Sequence, residues 1–239
     1  MKQTLYLSTA YLDDLMVRMA HHSTAIEGNS LTQGETKSVL IDGYVPRAID
    51  LRELNEVLNY KAFTKEMVRF LQEEREVNGE FIKEIHSILC REAIESVPGK
   101  FKTQPNMVIG ADFTPSPPYR VPMDIEQWRQ DLDYQLKNAA DARTMVEAIC
   151  RQHFRFERIH PFPDGNGRVG RALMVYSALQ QKLPPIVIPV DEKKKYINFL
   201  NTENLNGFVE FCLALQQKEL ERIKIFADER DKVLEIYNE

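Results

Sequence analysis

The sequence predicts a mainly α fold with one short β-hairpin, formed by a single domain of 239 residues. Two observations predict this class. Apolar residues recur at the spacing of amphipathic helices along most of the chain. Prolines, by contrast, cluster in residues 97–123, the one extended, proline-rich region. Because no repeat, linker or low-complexity tract divides the chain, we expect one hydrophobic core.

Composition and charge narrow the class further. Hydrophobic residues make up 43% of the chain and charged residues 28%, as in soluble globular proteins. The net charge of −5 argues against direct nucleic-acid binding, because phosphate neutralisation requires clustered Lys and Arg. The three cysteines are far apart and lie in helical patterns, so we expect buried free thiols in a reducing, cytoplasmic location. No signal peptide or membrane-spanning run is seen, so no membrane partner is expected.

Four helices are predicted in the N-terminal part. The first ends before Gly28, a residue suited to the C-terminal stop of a helix. A capping box, Thr32 with Glu35, opens the second, which stops at Gly43. His86, in the fourth, is expected to be a core or edge histidine rather than a ligand. These helices span residues 9–27, 32–43, 51–78 and 81–90.

The proline-rich region can form a pair of strands. Residues 106–110 are predicted to form one strand and residues 113–115 its return. The simplest interpretation of such a pair is a surface hairpin.

Helices resume after this region. The first two are amphipathic, and the second leads into the motif described next. A short extended connector, residues 183–190, follows the helix of the motif. The predicted helices span residues 124–136, 144–159, 168–179 and 192–204, with one long helix or two from 208 onward.

Residues 160–171 read His-Pro-Phe-Pro-Asp-Gly-Asn-Gly-Arg-Val-Gly-Arg, and each residue type suits a polyphosphate site. Gly165 and Gly167 can take positive φ angles and turn backbone N–H groups toward an anion. They precede a helix, whose N-terminus favours negative charge. Asp164 suits a Mg²⁺ that also contacts phosphate oxygens. His160 has the near-neutral pKa that a general base needs. The pattern therefore predicts a nucleotide site.

Two further observations support a phosphate site over a dinucleotide-binding fold. Arg168 and Arg171 are three residues apart, so they project from one face of the helix and can contact the same ligand. Gly165, Gly167 and Gly170 match the spacing of the dinucleotide-binding fingerprint, but that fingerprint follows a strand. Here a predicted helix precedes the glycines, so we reject the fingerprint.

The run His160-x-Phe162-x-Asp164-Gly165-Asn166-Gly167-Arg168-x-x-Arg171 resembles the full signature of the Fic family. The resemblance implies a Fic-type helical fold with a β-hairpin flap over the active site. It further implies transfer of AMP from ATP to a Ser, Thr or Tyr hydroxyl of a target protein. Within the single domain it implies an N-terminal part at 1–45, a Fic core at about 80–205 and a C-terminal helix at 206–239.

The resemblance also implies roles for individual residues. His160 would be the catalytic base, and Asp164 would hold Mg²⁺. Phe162 would anchor the loop. The other nucleotide-binding positions are Gly165, Asn166, Gly167, Arg168 and Arg171 at the phosphates, and Tyr196 and Asn204 around the adenine. In the flap, Met107, Val108 and Ile109 would dock the target as an added strand.

A second resemblance concerns control. Ser23 and Glu27, followed by Gly28, resemble the inhibitory motif of Fic proteins, which implies that Glu27 pairs with Arg171 and blocks transfer. A glutamate at the end of a helix is otherwise slightly misplaced, because the helix dipole there favours cations.

Alternatives to AMP transfer stay open. A Doc-type phosphotransferase departs from glycine at the position of Gly167, so the glycine here favours AMP transfer. Removal of AMP from a modified protein and a non-catalytic nucleotide-sensing module are the other two. The sequence also leaves the target protein, a homodimer and the signal that relieves inhibition undetermined.

Overall fold

The predicted mainly α class is confirmed by the computed structural model, which describes residues 3–108, 113–227 and 231–238. Short π- and 3₁₀-helical turns extend or precede several helices. The α-helices in these ranges are α1 (Thr9–Ile26), α2 (Gln33–Lys37), α3 (Leu51–Gln72), α4 (Gly79–Leu89), α5 (Val121–Lys137), α6 (Ala142–Ile159), α7 (Asn166–Gln180), α8 (Lys193–Thr202) and α9 (Leu205–Ile225).

Local side-chain contacts explain where several helices begin. Thr32 and Glu35 form the predicted capping box at the start of α2. The Asn78 side chain accepts a hydrogen bond from an N–H in the first turn of α4, which satisfies one of the donors that a helix start leaves free. Helix α1 ends at its C-terminal cap residue, Glu27, and Gly28 follows with a φ of 107°.

Helix α7 lies at the centre of the molecule. It packs against α1, α3, α4 and α6, and every residue from Arg168 to Leu179 is buried. Its two sides belong to two hydrophobic clusters, one containing Leu173 and the other Met174. Since a helix enclosed on all sides cannot shift without disrupting the core, the N-terminus of α7 has a fixed position.

The C-terminal helix predicted for 206–239 is shorter than expected. Helix α9 ends at Ile225, and β2 (Leu234–Asn238) pairs antiparallel with β1 (Gln3–Leu7). Ile236 of β2 is fully buried and lies opposite Leu5 of β1. The pairing joins residues more than 200 positions apart, which helical periodicity cannot reveal.

The predicted flap strands are not present in the described residues. Residues 106–108 and 113–115 lie outside any strand, and the rest of the first predicted strand, Ile109 and Gly110, lies outside the described residues. Asn106 directs its side chain to the backbone of Phe162, while Met107 is 87% exposed. The two-stranded sheet of this fold therefore joins the chain ends rather than the proline-rich region.

The three cysteines are buried free thiols, as predicted. Among the helices of the described ranges, none has the length and apolar character needed to cross a lipid bilayer.

A buried charged cluster holds α1 against α9. The Arg18 guanidinium donates to both carboxylate oxygens of Glu219, at 2.5 and 2.9 Å, and Tyr11 donates its hydroxyl to the same carboxylate. Asp14 gives Arg18 a second partner at 2.7 Å. Burial and the adjacent Glu219 raise the pKa of Tyr11 well above its ordinary value.

We expect Glu219→Gln to lower the free energy of unfolding by about 3 kcal/mol, because Asp14 would then be the only acidic partner of the buried Arg18 charge among the described residues. Urea denaturation followed by circular dichroism measures the change. Glu221→Gln, at an exposed position of the same helix, is the matched control and should change stability by less than about 0.5 kcal/mol. Equal effects of the two substitutions would contradict a stabilising role for the cluster.

Candidate active site

The signature motif forms the turn between α6 and α7. His160 ends α6 in the left-handed conformation, with a φ of 47°, and its N–H donates to the carbonyl of Phe156. Gly165, with a φ of 77°, precedes the first residue of α7. The two left-handed residues reverse the chain, so that His160 and the N-terminus of α7 belong to one short loop.

Phe162 anchors this loop, as predicted. Its ring is fully buried and stacks on His86 of α4, with centroids 3.8 Å apart. The Asn166 side chain accepts from the Phe162 N–H and donates to the Phe162 carbonyl, both at 2.8 Å. Because the amide group of Asn166 is used in this way, only its backbone N–H is available for a phosphate.

His86 holds the same loop through the hydrogen bonds of its ring. The Gly99 N–H donates to Nδ1 of His86 at 2.7 Å, so the proton of the neutral ring lies on Nε2 and is donated to the Asp164 carbonyl at 3.0 Å. Burial lowers the pKa of His86 to about 4, which keeps the ring neutral. The prediction of a core histidine is confirmed, but its bond to the motif was not foreseen.

Gly167 lies directly under the Glu27 carboxylate. A Cβ built at this position would be 2.4 Å from Oε1 of Glu27 and 2.8 Å from Nη1 of Arg171. Any larger residue would displace one of them. The first turn of α7 also has N–H groups without helical acceptors, so this surface suits an anion.

Arg171 forms the ion pair with Glu27 that the sequence predicted. Its Nη2 donates to Oε1 of Glu27 at 2.6 Å, and its Nε donates to the Ser23 hydroxyl at 2.9 Å. Nη2 also donates to the Ser23 carbonyl. Burial alone would raise the pKa of Glu27, but the charge of Arg171 outweighs it and lowers that pKa. The ionised Glu27 therefore engages Arg171, the cation that is expected to bind phosphate.

Arg168 is almost completely buried and contacts two carboxylates. Nη1 lies 3.4 Å from Oε1 of Glu56 on α3, and Nη2 lies 3.8 Å from Oδ2 of Asp164. Asn29 donates to the other oxygen of Glu56 at 2.9 Å. The buried Nε of Arg168 has no hydrogen-bond partner within the described part of the chain. Glu56 is a site residue that the sequence does not reveal, because it lies in an ordinary helical pattern.

Asp164 suits a divalent cation shared with a nucleotide. Its side chain is 51% exposed, and its Oδ2 lies 3.6 Å from Nη2 of Arg52. In the described ranges no group of three or more acidic, histidine or cysteine side chains could hold a metal by itself. A single exposed carboxylate nevertheless fits Mg²⁺, which takes its other ligands from phosphate oxygens and water.

The two residues predicted to bind adenine, Tyr196 and Asn204, differ in exposure. Tyr196 is buried, and its hydroxyl lies 2.8 Å from Nε2 of His153. Asn204 is exposed and caps α9, accepting from the Gly207 N–H. Their contact with adenine stays a prediction, as does target docking by Met107, Val108 and Ile109.

Glu157 is a largely buried side chain, 13% exposed, that the sequence does not single out. Its Oε1 makes no hydrogen bond among the described residues and would lie 2.4 Å from a Cβ built at Gly170. Nε2 of His153 is 3.9 Å away. Burial raises the pKa of Glu157 to about 7, against an ordinary value of 4.5.

Comparison with known proteins agrees with this geometry. The profile of the Fic/DOC family matches residues 76–178, a range that contains α4 and the complete motif. This region of the chain is therefore similar to the Fic/DOC family, and the signature motif lies within it.

Curated relatives match most of this chain. A protein named protein adenylyltransferase fic-1 from Caenorhabditis briggsae is 30% identical over 211 residues, covering 84% of this chain and 40% of the relative. Its namesake from Caenorhabditis elegans is 29% identical with the same coverage. The chain thus spans about 40% of the length of the curated relatives that it matches.

Solved structures share the fold. A Fic domain-containing signaling protein from Bacteroides thetaiotaomicron has a TM-score of 0.80 at 24% identity, covering 88% of this chain and 86% of that one. A fic-1 structure from Caenorhabditis elegans has a TM-score of 0.74 at 27% identity, covering 90% and 63%. The Fic-type helical fold is confirmed.

The raised pKa of Glu157 predicts a pH-dependent stability. Ionisation is easier in the unfolded chain, near pH 4.5, than in the folded one, near pH 7. The unfolded state thus binds fewer protons between these values, and stability falls as pH rises through this window. Glu157→Gln removes this penalty. Relative to the parent, it should therefore gain up to about 3 kcal/mol between pH 4.5 and pH 7.5.

Denaturant unfolding at several pH values measures this gain. Glu147→Gln is the control, since it changes an exposed carboxylate on the same helix and should show little pH-dependent gain. A constant difference between Glu157→Gln and the parent across the window would mean that Glu157 ionises normally.

Proposed function

We propose that this chain is a protein adenylyltransferase, which transfers AMP from ATP to a hydroxyl side chain of a target protein. One observation carries the proposal: a single short loop joins His160, at the end of α6, to the N-terminus of α7, whose first turns carry Arg168 and Arg171. A base and an anion-binding helix end thus adjoin. The names of the curated relatives support the same activity.

His160 is suited to act as the general base. Burial, and next the positive charge of Lys102, lower its pKa to about 4, so the imidazole is neutral near pH 7. The neutral ring takes the proton of the target hydroxyl as its oxygen bonds to the α-phosphorus. The bond from that phosphorus to the oxygen of the leaving pyrophosphate breaks at the same time. Such base catalysis contributes about 10²–10⁴-fold.

The remaining residues of the motif position the nucleotide. The backbone N–H groups of Asn166 and Gly167 would face the phosphates, while that of Gly165 donates to Asp164, and Arg168 and Arg171 would neutralise the phosphate charge. The Mg²⁺ that the family implies would be held by Asp164 and would balance negative charge on the phosphate oxygens. This arrangement fixes which phosphorus faces the incoming hydroxyl.

The ion pair of Glu27 with Arg171 supports autoinhibition of this activity. Arg171 cannot hold the γ-phosphate with the same donors that hold Glu27 at 2.6 Å. With Glu27 in place, ATP would lose this contact, and the α-phosphorus would be poorly aligned for attack. Ser23 strengthens the inhibited state, because it accepts two further hydrogen bonds from Arg171.

Removal of AMP from a modified protein is a second candidate. The Glu27 side chain is 41% exposed, and its carboxylate lies against Gly167, inside the site. A carboxylate in that position can orient a water molecule for attack on a phosphorus. Mass spectrometry separates the two reactions, because a candidate target gains AMP in one and loses it in the other.

His160→Ala should abolish AMP transfer while leaving ATP binding almost unchanged, since His160 serves the incoming hydroxyl and not the phosphates. Mass spectrometry of target proteins incubated with ATP and Mg²⁺ measures transfer, and calorimetry measures binding. Loss of both would instead give His160 a structural role.

Glu27→Gly should raise AMP transfer, including self-modification, by about 5–150-fold, the range of a typical coupling between two states. The melting temperature should change little. Glu73→Gly is the matched control, because Glu73 caps the end of α3 with nearly the same backbone angles and, in the described part of the chain, pairs only with an exposed arginine. It should leave transfer unchanged.

The double variant Glu27→Gly with His160→Ala should be inactive. If Glu27→Gly transfers AMP no faster than the parent at matched ATP and Mg²⁺, the inhibitory role of Glu27 is wrong.

A further inference from the structure

A segment outside the signature motif holds the loop that carries His160. We call residues 99–106 the strap; it follows α4 and leads to Met107. At its start Gly99 donates to His86, and in its middle the ring of Phe101 packs against Phe162 at 5.4 Å. The strap therefore runs along the side of the loop that faces the core.

Two strap residues bind the three main-chain carbonyls that flank His160. The Lys102 N–H donates to the carbonyl of Pro161 at 2.9 Å, and its Nζ donates to that of Ile159 at 3.3 Å. Nζ also donates to Oδ1 of Asn106 at 2.6 Å, and Nδ2 of Asn106 donates to the carbonyl of Phe162 at 2.9 Å. The carbonyls before and after the histidine are thus fixed by one hydrogen-bonded unit.

Lys102 is an unusual residue for this position. It is only 3% exposed, and no carboxylate pairs with its ammonium group in the described residues. Burial lowers its pKa to about 8, which shows that the charge is held at a cost. An uncharged side chain of similar length would avoid that cost, so the ammonium group must be explained by what it contacts.

The backbone of His160 needs such support. A non-glycine residue in the left-handed region costs about 1–2 kcal/mol, and His160 has a φ of 47°. The Ile159 carbonyl, which Lys102 binds, belongs to the peptide group that precedes this strained residue. Loss of the contact would allow His160 to relax toward an ordinary conformation and move its ring.

The positive charge of Lys102 also acts on the imidazole of His160. The charged groups that act on His160 are Lys102 from the strap, Glu27 from α1 and Asp164 from the motif loop, together with the main chain of Glu157 on α6. Lys102 is the one cation among them, so it opposes protonation of the ring. The two carboxylates act in the opposite sense.

We propose that Lys102 is the positioning residue of the catalytic base, holding His160 in its left-handed conformation and opposing protonation of its imidazole. The inference rests on the proposed function for its catalytic meaning. Its structural content concerns only the strap and the loop.

The test uses three substitutions that separate the hydrogen bond from the charge. Lys102→Arg retains both, Lys102→Gln retains a donor without the charge, and Lys102→Met retains neither. Lys100→Met, at an exposed position of the same strap, is the matched control. The chain with Glu27→Gly serves as the background for activity measurements.

The first readout is the pKa of His160, followed by NMR titration of the imidazole signal and assigned by its loss in a His160→Asn variant. We expect Lys102→Gln and Lys102→Met to raise this pKa from about 4 toward its ordinary value of roughly 6.5. Lys102→Arg and Lys100→Met should leave it unchanged. This readout requires no turnover, so it stands even if the chain transfers no AMP.

The second readout is transfer of AMP. Lys102→Met should lower kcat by at least about 10-fold with the KM for ATP little changed, because a misplaced base affects the chemical step. The acid limb of the pH profile of kcat should move to higher pH in this variant. Lys102→Arg should retain most activity, and Lys102→Gln should share the pH shift with a smaller loss of kcat.

A pKa of His160 that stays near 4 in a folded Lys102→Gln or Lys102→Met variant would overturn the electrostatic part. An unchanged kcat in the same variant would overturn the positioning part. If Lys102→Met does not fold, Lys102→Gln and Lys102→Arg still decide both parts. If no variant transfers AMP although His160 titrates as expected, the proposed function fails while the role of the strap is retained.

Discussion

The burial of Phe162 holds the motif loop in place. Its ring lies in the core against His86 and Phe101, while Asn166 and Asn106 bind its backbone groups. A loop residue with both its side chain and its backbone engaged has little freedom to move. This rigidity matters because His160 and Asp164 lie two residues to either side, and a displacement of about 1 Å can cost 10²-fold in rate.

The site is built around buried arginines that need counter-charges. Arg168 and Arg171 are both buried in the structure, where an unpaired cation would be costly. Glu56 contacts Arg168, and Glu27 contacts Arg171. The two pairs differ in one respect, because the Glu56 side chain is itself buried, whereas that of Glu27 is partly exposed. Glu27 is thus the more accessible of the two counter-ions.

Three separate parts of the chain build the surroundings of the proposed base. The motif supplies His160 itself, α1 brings Glu27 across the helix end, and the strap of residues 99–106 binds the carbonyls on both sides of the histidine. The α1 residues contact Arg171, whereas the strap contacts the carbonyls around His160. Under the proposed function, a change at α1 would therefore leave the strap in place.

The sequence by itself determined the mainly α class, the helix start set by Thr32, and the motif from His160 to Arg171. These features depend on neighbouring residues, through helical periodicity, capping contacts and a short signature. It also indicated the pairing of Glu27 with Arg171, because a family resemblance linked two distant motifs. That contact is present at 2.6 Å, and its inhibitory meaning stays a prediction.

Only the tertiary structure decided the remaining features. The pairing of β1 with β2, the contact of Glu56 with Arg168, and the burial of Lys102 and Glu157 all join segments that are distant in sequence or depend on what surrounds a side chain. A glutamate or lysine in a helix or loop looks like a solvated residue until the fold shows that water is excluded. The reason is physical: local sequence sets backbone preferences, whereas burial and charge pairing arise only when distant elements pack together.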